Sequence, residues 1–176
     1  MKKLILINGT MGVGKTTTCN ELIKILNPSV YLDGDWCWNM NPFIVTEETK
    51  KIVQDNIRYL LRNFLNCSIY KYVLFSWVMH QEKILNNIIN TLDGIEFQLY
   101  KFSLVCSEQA LEKRLSIDVN LGLRNEEIID RSLERLEMYQ DMDTFKIDVS
   151  SITPLQAAEQ IKQIVGEIDN EDNSCR

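Results

Sequence analysis

The chain has 176 residues, of which 45% are hydrophobic and 25% charged, and a formal net charge of −6. That length suits one domain around one core, and the acidic balance without any long Lys/Arg run argues against a dedicated nucleic-acid or anionic-membrane surface. Five scattered cysteines (Cys19, Cys37, Cys67, Cys106, Cys175) with no C-x-x-C pair predict reduced thiols and a cytoplasmic setting, and a single histidine disfavours a zinc site. The N-terminal apolar run is too short for a signal peptide, and no stretch approaches a membrane span.

In chain order, Lys3 to Ile7 is an apolar run of strand length and fully buried character. Gly9-Thr10-Met11-Gly12-Val13-Gly14-Lys15-Thr16 follows and fits the phosphate-binding pattern G-x-x-x-x-G-K-[ST] at every fixed position. The next residues, Thr16 to Leu26, place Leu22, Ile23, Ile25 and Leu26 on one helical face, and Asn27-Pro28 stops the helix. Strand, glycine loop and helix are the context this motif requires. Its glycines let successive amides turn inward toward phosphate oxygens, and the helix N-terminus adds its positive end. Lys15 is expected to reach the outer phosphates and the Thr16 hydroxyl to ligate Mg²⁺.

Ser29 to Leu32 reads as a short strand ending at the sharp turn Asp33-Gly34-Asp35. A long helix is expected over 46–66 with Thr46 as N-cap, then a strand over 70–75 and a helix over 81–92. A strand over 97–106 and a helix from Glu108 to Leu115 capped by Ser107 come next, followed by a polar segment, Ser116 to Gly122. A helix over 126–141, a strand over 145–149 and a helix opened by Thr153-Pro154 complete the pattern. The end, 169–176, is polar and expected to fray. Strands alternating with helices imply an α/β fold with a parallel sheet, whose crevice lies at the carboxyl ends of the strands. The phosphate loop and the Asp33-Gly34-Asp35 turn should therefore face one crevice.

Two carboxylates beside a phosphate loop have a ready use: one holds Mg²⁺ through water, and the other orients or deprotonates an acceptor hydroxyl. Trp36 and Trp38 follow the aspartates, and Trp77, Met79 and His80 follow the third strand, so all three tryptophans fall just after strand ends that face the crevice. Arg124, Arg131 and Arg135 lie on one stripe of a helix starting near residue 124, suited to the charge of a transferring phosphate. Arg58 and Arg62 are four apart on the second helix.

Through Gly9 to Thr16, Asp33-Gly34-Asp35 and the stretch from Cys106-Ser107-Glu108 through Arg114 to Arg124, Arg131 and Arg135, the chain resembles the small P-loop kinases related to nucleoside monophosphate kinases. Within these it is nearest the branch holding gluconate kinase, shikimate kinase and chloramphenicol phosphotransferase. The resemblance implies the P-loop nucleoside triphosphate hydrolase fold, a three-layer α/β/α sandwich with a five-stranded parallel sheet. It covers 1–168 as one domain with a short lid around 116–124, leaving 169–176 as a flexible acidic tail. It implies ATP and Mg²⁺ as cofactors and a small hydroxylated or phosphorylated acceptor, in a monomer or homodimer. Under it, Gly9, Thr10, Met11, Gly12, Val13, Gly14, Lys15, Thr16, Thr17, Arg114 and Arg131 hold the donor. Thr16 and Asp33 serve the metal, while Lys15, Asp35 and Arg124 act in transfer. Asp35, Trp36, Trp38, Arg58, Trp77 and His80 form the acceptor side.

Competing classes fit less well. A GTP switch needs D-x-x-G and N-K-x-D; the first is absent, and Phe145-Lys146-Ile147-Asp148 only imitates the second. An AAA-type ATP-hydrolysing module is the alternative reading, but its acidic strand end is missing where Leu74-Phe75-Ser76-Trp77 closes strand three. A kinase for polynucleotide ends is disfavoured by the charge balance.

Overall fold

The apolar run near the N-terminus becomes the central strand of a parallel sheet. In the computed structural model, which describes residues 1–174, the order is β1 (Lys2–Asn8), α1 (Lys15–Ile25), β2 (Ser29–Asp33), a 3-10 turn (Gly34–Trp38), α2 (Glu47–Asn66), β3 (Tyr72–Ser76) and α3 (Glu82–Asn90). It continues through β4 (Phe97–Val105), α4 (Glu108–Asn120), α5 (Ile128–Leu136), a second 3-10 turn (Glu137–Tyr139), β5 (Phe145–Asp148) and α6 (Pro154–Ser174). The sheet has five strands in the order β2-β3-β1-β4-β5, with every pairing parallel.

β1 is apolar on both faces because helices cover both. Ile5 and Ile7 pack with Leu22 of α1, Leu111 of α4 and Ile161 of α6. Leu4 and Leu6 pack with Ile57 and Leu61 of α2 and Leu85 of α3. All four β1 side chains are fully buried, each stabilising the fold by about 1.5–3 kcal/mol relative to exposure. The expected three-layer α/β/α architecture is therefore present.

The caps follow the sequence. Thr46 Oγ1 accepts from Thr49 N at 3.1 Å while Thr49 Oγ1 accepts from Thr46 N at 2.8 Å, and Ser107 Oγ accepts from Ala110 N at 3.2 Å. Thr153 and Gln156 cap α6 reciprocally, at 3.2 and 2.8 Å.

Two expectations are corrected. Ser116 to Asn120, expected as a polar segment after a helix ending at Leu115, is the last part of α4, since no glycine or proline interrupts the chain before Gly122 and Val119 packs on the core. The connection is Leu121 to Glu127, and Gly122 at φ +69° ends the helical path. The helix expected over 126–141 is shorter: α5 ends at Leu136 and tightens into a 3-10 turn as Tyr139 and then Met142 enter the core. Residues 169–174 lie within α6, and 175–176 fall outside the described residues.

The chain runs from β1 to β2 and β3 on one side, then crosses to β4 and β5 on the other. This reversal makes the carboxyl end of β1 a topological switch point, the place where parallel sheets open a crevice.

Candidate active site

Asn8, the last residue of β1, is fully buried and anchors the loop that follows. Its Oδ1 accepts from Gly9 N at 2.8 Å and Met79 N at 2.9 Å, and its Nδ2 donates to Met79 O at 2.8 Å. The loop start is thereby tied to the segment leaving β3. Gly12, at φ +78°, packs so closely that an added Cβ would lie 2.4 Å from Leu115 Cδ2. Gly14 caps α1 in the left-handed region at φ 109°, and the first turn of α1 carries no acid. The helix N-terminus therefore presents its amides and dipole to an anion without internal competition.

A cavity of about 390 Å³ opens over this loop, with Arg114 and Arg124 among its walls. Met11 to Thr17 line it, while Gly9 and Thr10 place their carbonyls under Lys15, whose Nζ donates to them at 2.9 and 2.8 Å. Burial of the ammonium lowers the Lys15 pKa to about 8, partly opposed by the negative charges of Asp35 and Asp33. A bound phosphate chain adds charge that favours the ammonium and raises that pKa. Above about pH 8 the empty protein holds Lys15 increasingly neutral, so nucleotide binding there takes up a proton and weakens as pH rises. Calorimetry at about pH 9 in buffers of different ionisation enthalpy should detect that uptake, and titrations at about pH 7 should show little from this group.

The Asp33-Gly34-Asp35 turn meets the loop directly. Thr16 Oγ1 donates to Asp33 Oδ2 at 2.7 Å, and Tyr31 Oη donates to the same oxygen at 2.9 Å. Asp33 Oδ1 accepts from Asp35 N at 3.1 Å, fixing the turn. Tyr31 Oη also lies 2.7 Å from Ser76 Oγ, so the ends of β2 and β3 share one hydrogen-bonded cluster. Asp33 is buried and Asp35 opens into the crevice. Desolvation and the Asp33 charge raise the Asp35 pKa, while Lys15, hydrogen bonding from the Trp77 indole, and Arg124 oppose the shift. Beneath the site, burial pushes the Cys19 thiol up to about 12, leaving it unreactive.

Gly34 is required by close approach. A Cβ there would lie 2.6 Å from Trp77 Cγ, the root of a rigid ring. Gly34→Ala should lower stability by about 1–3 kcal/mol in denaturant unfolding, because ring or turn must shift.

A wider opening of about 860 Å³ continues from Asp33 and Asp35. Trp36, Trp38 and Phe43 line it, as do Arg124, Arg131 and Arg135, with Trp38 and Phe43 ring centroids 5.8 Å apart. It shares Met11, Thr16, Asp35, Val78 and Arg124 with the loop cavity, so the two form one bipartite crevice. Arg124 pairs with Asp118 through Nε–Oδ2 at 3.0 Å. Arg114 Nη1 donates to Val13 O at 3.0 Å and its Nη2 donates to Val149 O, holding the loop against the end of β5.

The structure thus brings together the loop residues, Asp33, Asp35, Trp36, Trp38, Arg114, Arg124 and Arg131. Arg131 lines the Asp35 half of the crevice and not the loop cavity. The helical stripe begins after Arg124, which sits in the connection before α5. Arg58 and Trp77 line a separate cavity, and His80 lines neither half of the crevice. His80 Nδ1 is enclosed without a hydrogen-bond partner; burial and the nearby Arg135 lower its pKa. Arg62 is structural, with Nη1 donating to Thr91 O at 3.0 Å and Asp93 O at 3.1 Å. Sequence reasoning missed Asn8, Tyr31, Ser76 and Phe43. Tyr31 was within reach, since it stands two residues before Asp33 on the same strand face.

For Mg²⁺ the donor chemistry fits. Thr16 and Asp33 supply adjacent hard oxygens, and Mg²⁺ takes few protein ligands, completing its shell with water and phosphate. Among the described residues no group of three or more His, Cys, Asp or Glu is placed to hold a metal ion by itself.

Residues 5–151 match the family model described as AAA domain, and the chain belongs to that family. Among solved structures, the tunicamycin resistance protein of Deinococcus radiodurans aligns with 20% identity and TM-score 0.63, covering 94% of this chain and 96% of that one. A gluconokinase from Sinorhizobium meliloti 1021 aligns with 14% identity and TM-score 0.65, covering 97% of each chain. Shikimate kinase from Acinetobacter baumannii, in complex with shikimate, aligns with 17% identity and TM-score 0.64, covering 95% and 94%. These structures share the fold expected from the motifs. No curated protein matches the sequence. No helix among the described residues is long and apolar enough to cross a membrane.

Proposed function

We propose that the chain is a P-loop phosphotransferase that moves the γ-phosphate of ATP, with Mg²⁺, to a small hydroxylated or phosphorylated acceptor. One observation carries this reading: the phosphate loop and a carboxylate turn meet through the Thr16–Asp33 hydrogen bond at 2.7 Å, with Asp35 opening beyond them into a separate half-crevice. A triphosphate lies along Gly9 to Thr17, its outer phosphates contacted by Lys15 and Arg124 and flanked by Arg114. Thr16 and Asp33 would hold Mg²⁺, which would supply neutralising charge to the phosphates. Asp35 accepts the proton of the acceptor hydroxyl or orients it, and Arg124, shared by both halves, faces the charge that spreads over the transferring group. Trp36 and Trp38 offer ring faces to the acceptor, with Arg131 across from them. The segment 121–127, which carries Arg124, is suited to close over the nucleotide.

Incubation with Mg-ATP and a panel of nucleosides, nucleotides, sugars and hydroxylated antibiotics tests the proposal; phosphorylation of at least one is expected. Failure to bind ATP, with no product from any acceptor, overturns it. The AAA domain match supports a second reading, an ATP-hydrolysing regulatory module. Steady hydrolysis that no acceptor accelerates would favour that reading.

A further inference from the structure

Val53, Ile57, Leu61 and Leu65 turn one face of α2 into the core at four-residue spacing. On the opposite face Ile52 and Tyr59 stand 50% and 67% exposed, two helical turns apart. Val45, seven residues before Ile52 and just ahead of the Thr46 cap, continues the line at 51%. Single exposed apolar side chains need no explanation, but three at a seven-residue interval form a stripe of the kind that packs against another helix.

Beside the stripe, Glu48, Lys51, Asp55 and Arg58 follow at spacings of three, four and three, so they share one edge of the helix and alternate in sign. All four are exposed, and among the described residues none of their side chains makes an ion pair or hydrogen bond, although Glu47 and Lys50 on the same helix pair at 2.8 Å. From the other end of the helix the same edge runs positive, negative, positive, negative. An antiparallel copy of α2 therefore sets each charge against its opposite: Glu48 faces the partner's Arg58 and Lys51 faces the partner's Asp55, each pair occurring twice by symmetry. A two-fold interface requires such self-complementarity, since the same patch serves both sides.

We propose that the chain forms a two-fold homodimer through α2, the two helices antiparallel, with Ile52 on the two-fold axis against the partner's Ile52. In that register Val45 meets the partner's Tyr59, and the charged edges lie along the apolar seam. An in-register parallel copy sets like charges side by side, and an unrelated partner has no reason to match the alternation, so the pattern selects a second, antiparallel copy of this chain. The association does not depend on phosphoryl transfer.

Sedimentation equilibrium of the full chain across about 1–100 μM tests the interface, and a species of twice the chain mass is expected. Ile52→Lys brings two ammonium groups together on the axis and should weaken association by about a hundredfold. Lys51→Glu should weaken it by about tenfold, and Lys51→Glu combined with Asp55→Lys should restore it, because each charge again faces its opposite. That rescue separates symmetric pairing from a general loss of structure. Lys51, Ile52 and Asp55 are all exposed, so the changes leave the core untouched. A chain that is monomeric throughout, or that attaches to phosphatidylcholine vesicles as a monomer, overturns the proposal. So does a dimer that Ile52→Lys leaves unaffected, or one that the double change fails to restore. None of these readouts uses phosphoryl transfer, so failure here leaves the catalytic reading standing, and the reverse holds too.

Discussion

Lys15→Met lowers phosphoryl transfer by about 10³-fold, while ATP still binds with affinity reduced by about tenfold. The asymmetry follows from where the charge acts. In the empty protein Lys15 Nζ rests on the carbonyls of Gly9 and Thr10, already positioned at the loop mouth and already desolvated. Loop amides and the α1 N-terminus hold the ground-state phosphates without it. Charge on the outer phosphate redistributes only during transfer, and a preorganised cation in a partly dry site contributes most there. Methionine keeps the length and apolar packing of the side chain, so the variant separates charge from shape. Rapid-quench measurement of transfer beside nucleotide titration checks the result. Equal losses in binding and transfer would mean that Lys15 acts in ground-state binding alone.

The fold was readable because its signals are local and strong. Lys3 to Ile7 announces a doubly covered strand by its unbroken apolar run, and Thr46, Ser107 and Thr153 announce helix starts because each bonds the backbone three residues on. The loop was readable because its fixed positions demand glycine: Gly9 and Gly14 adopt positive φ, and a Cβ at Gly9 would lie 2.8 Å from Leu104 O. Boundaries in the region between 116 and 141 were harder. There polar residues such as Ser116 and Asp118 look like loop in one dimension, whereas packing by Val119 holds them in α4. Tertiary contact overrides propensity at such places.

Placement across the crevice was the least legible part. Arg58 and Arg62 look equivalent in sequence, yet the structure gives Arg62 two carbonyl partners and leaves Arg58 at a separate cavity. Nothing in a one-dimensional pattern tells which of two neighbouring helix positions faces a partner helix end some thirty residues away. His80 shows the same limit: following a strand that ends at the crevice, its ring turns aside, with Nδ1 enclosed near Arg135. Conversely Phe43, in a loop with no periodicity, reaches the tryptophan wall through its contact with Trp38.

Asp35→Asn reduces turnover by about 10²–10⁴-fold, the usual contribution of a positioned base, and leaves ATP affinity nearly unchanged. Asp33 predicts the opposite division, because its carboxylate is bonded to Thr16 and Tyr31 on the donor side. If Asp35→Asn destroyed ATP binding instead, the roles of the two aspartates would be exchanged. The pH dependence supplies an independent check. Asp35 works as a base only when ionised, and desolvation with the Asp33 charge holds its pKa above the ordinary carboxylate range. Activity therefore falls on acidification at a higher pH than an exposed aspartate would give. Trp77→Phe removes the indole hydrogen bonding that favours the ionised carboxylate, so the acidic limb should move to still higher pH. A limb that stays in place in Trp77→Phe, with turnover intact, would mean that Asp35 orients the acceptor without taking its proton.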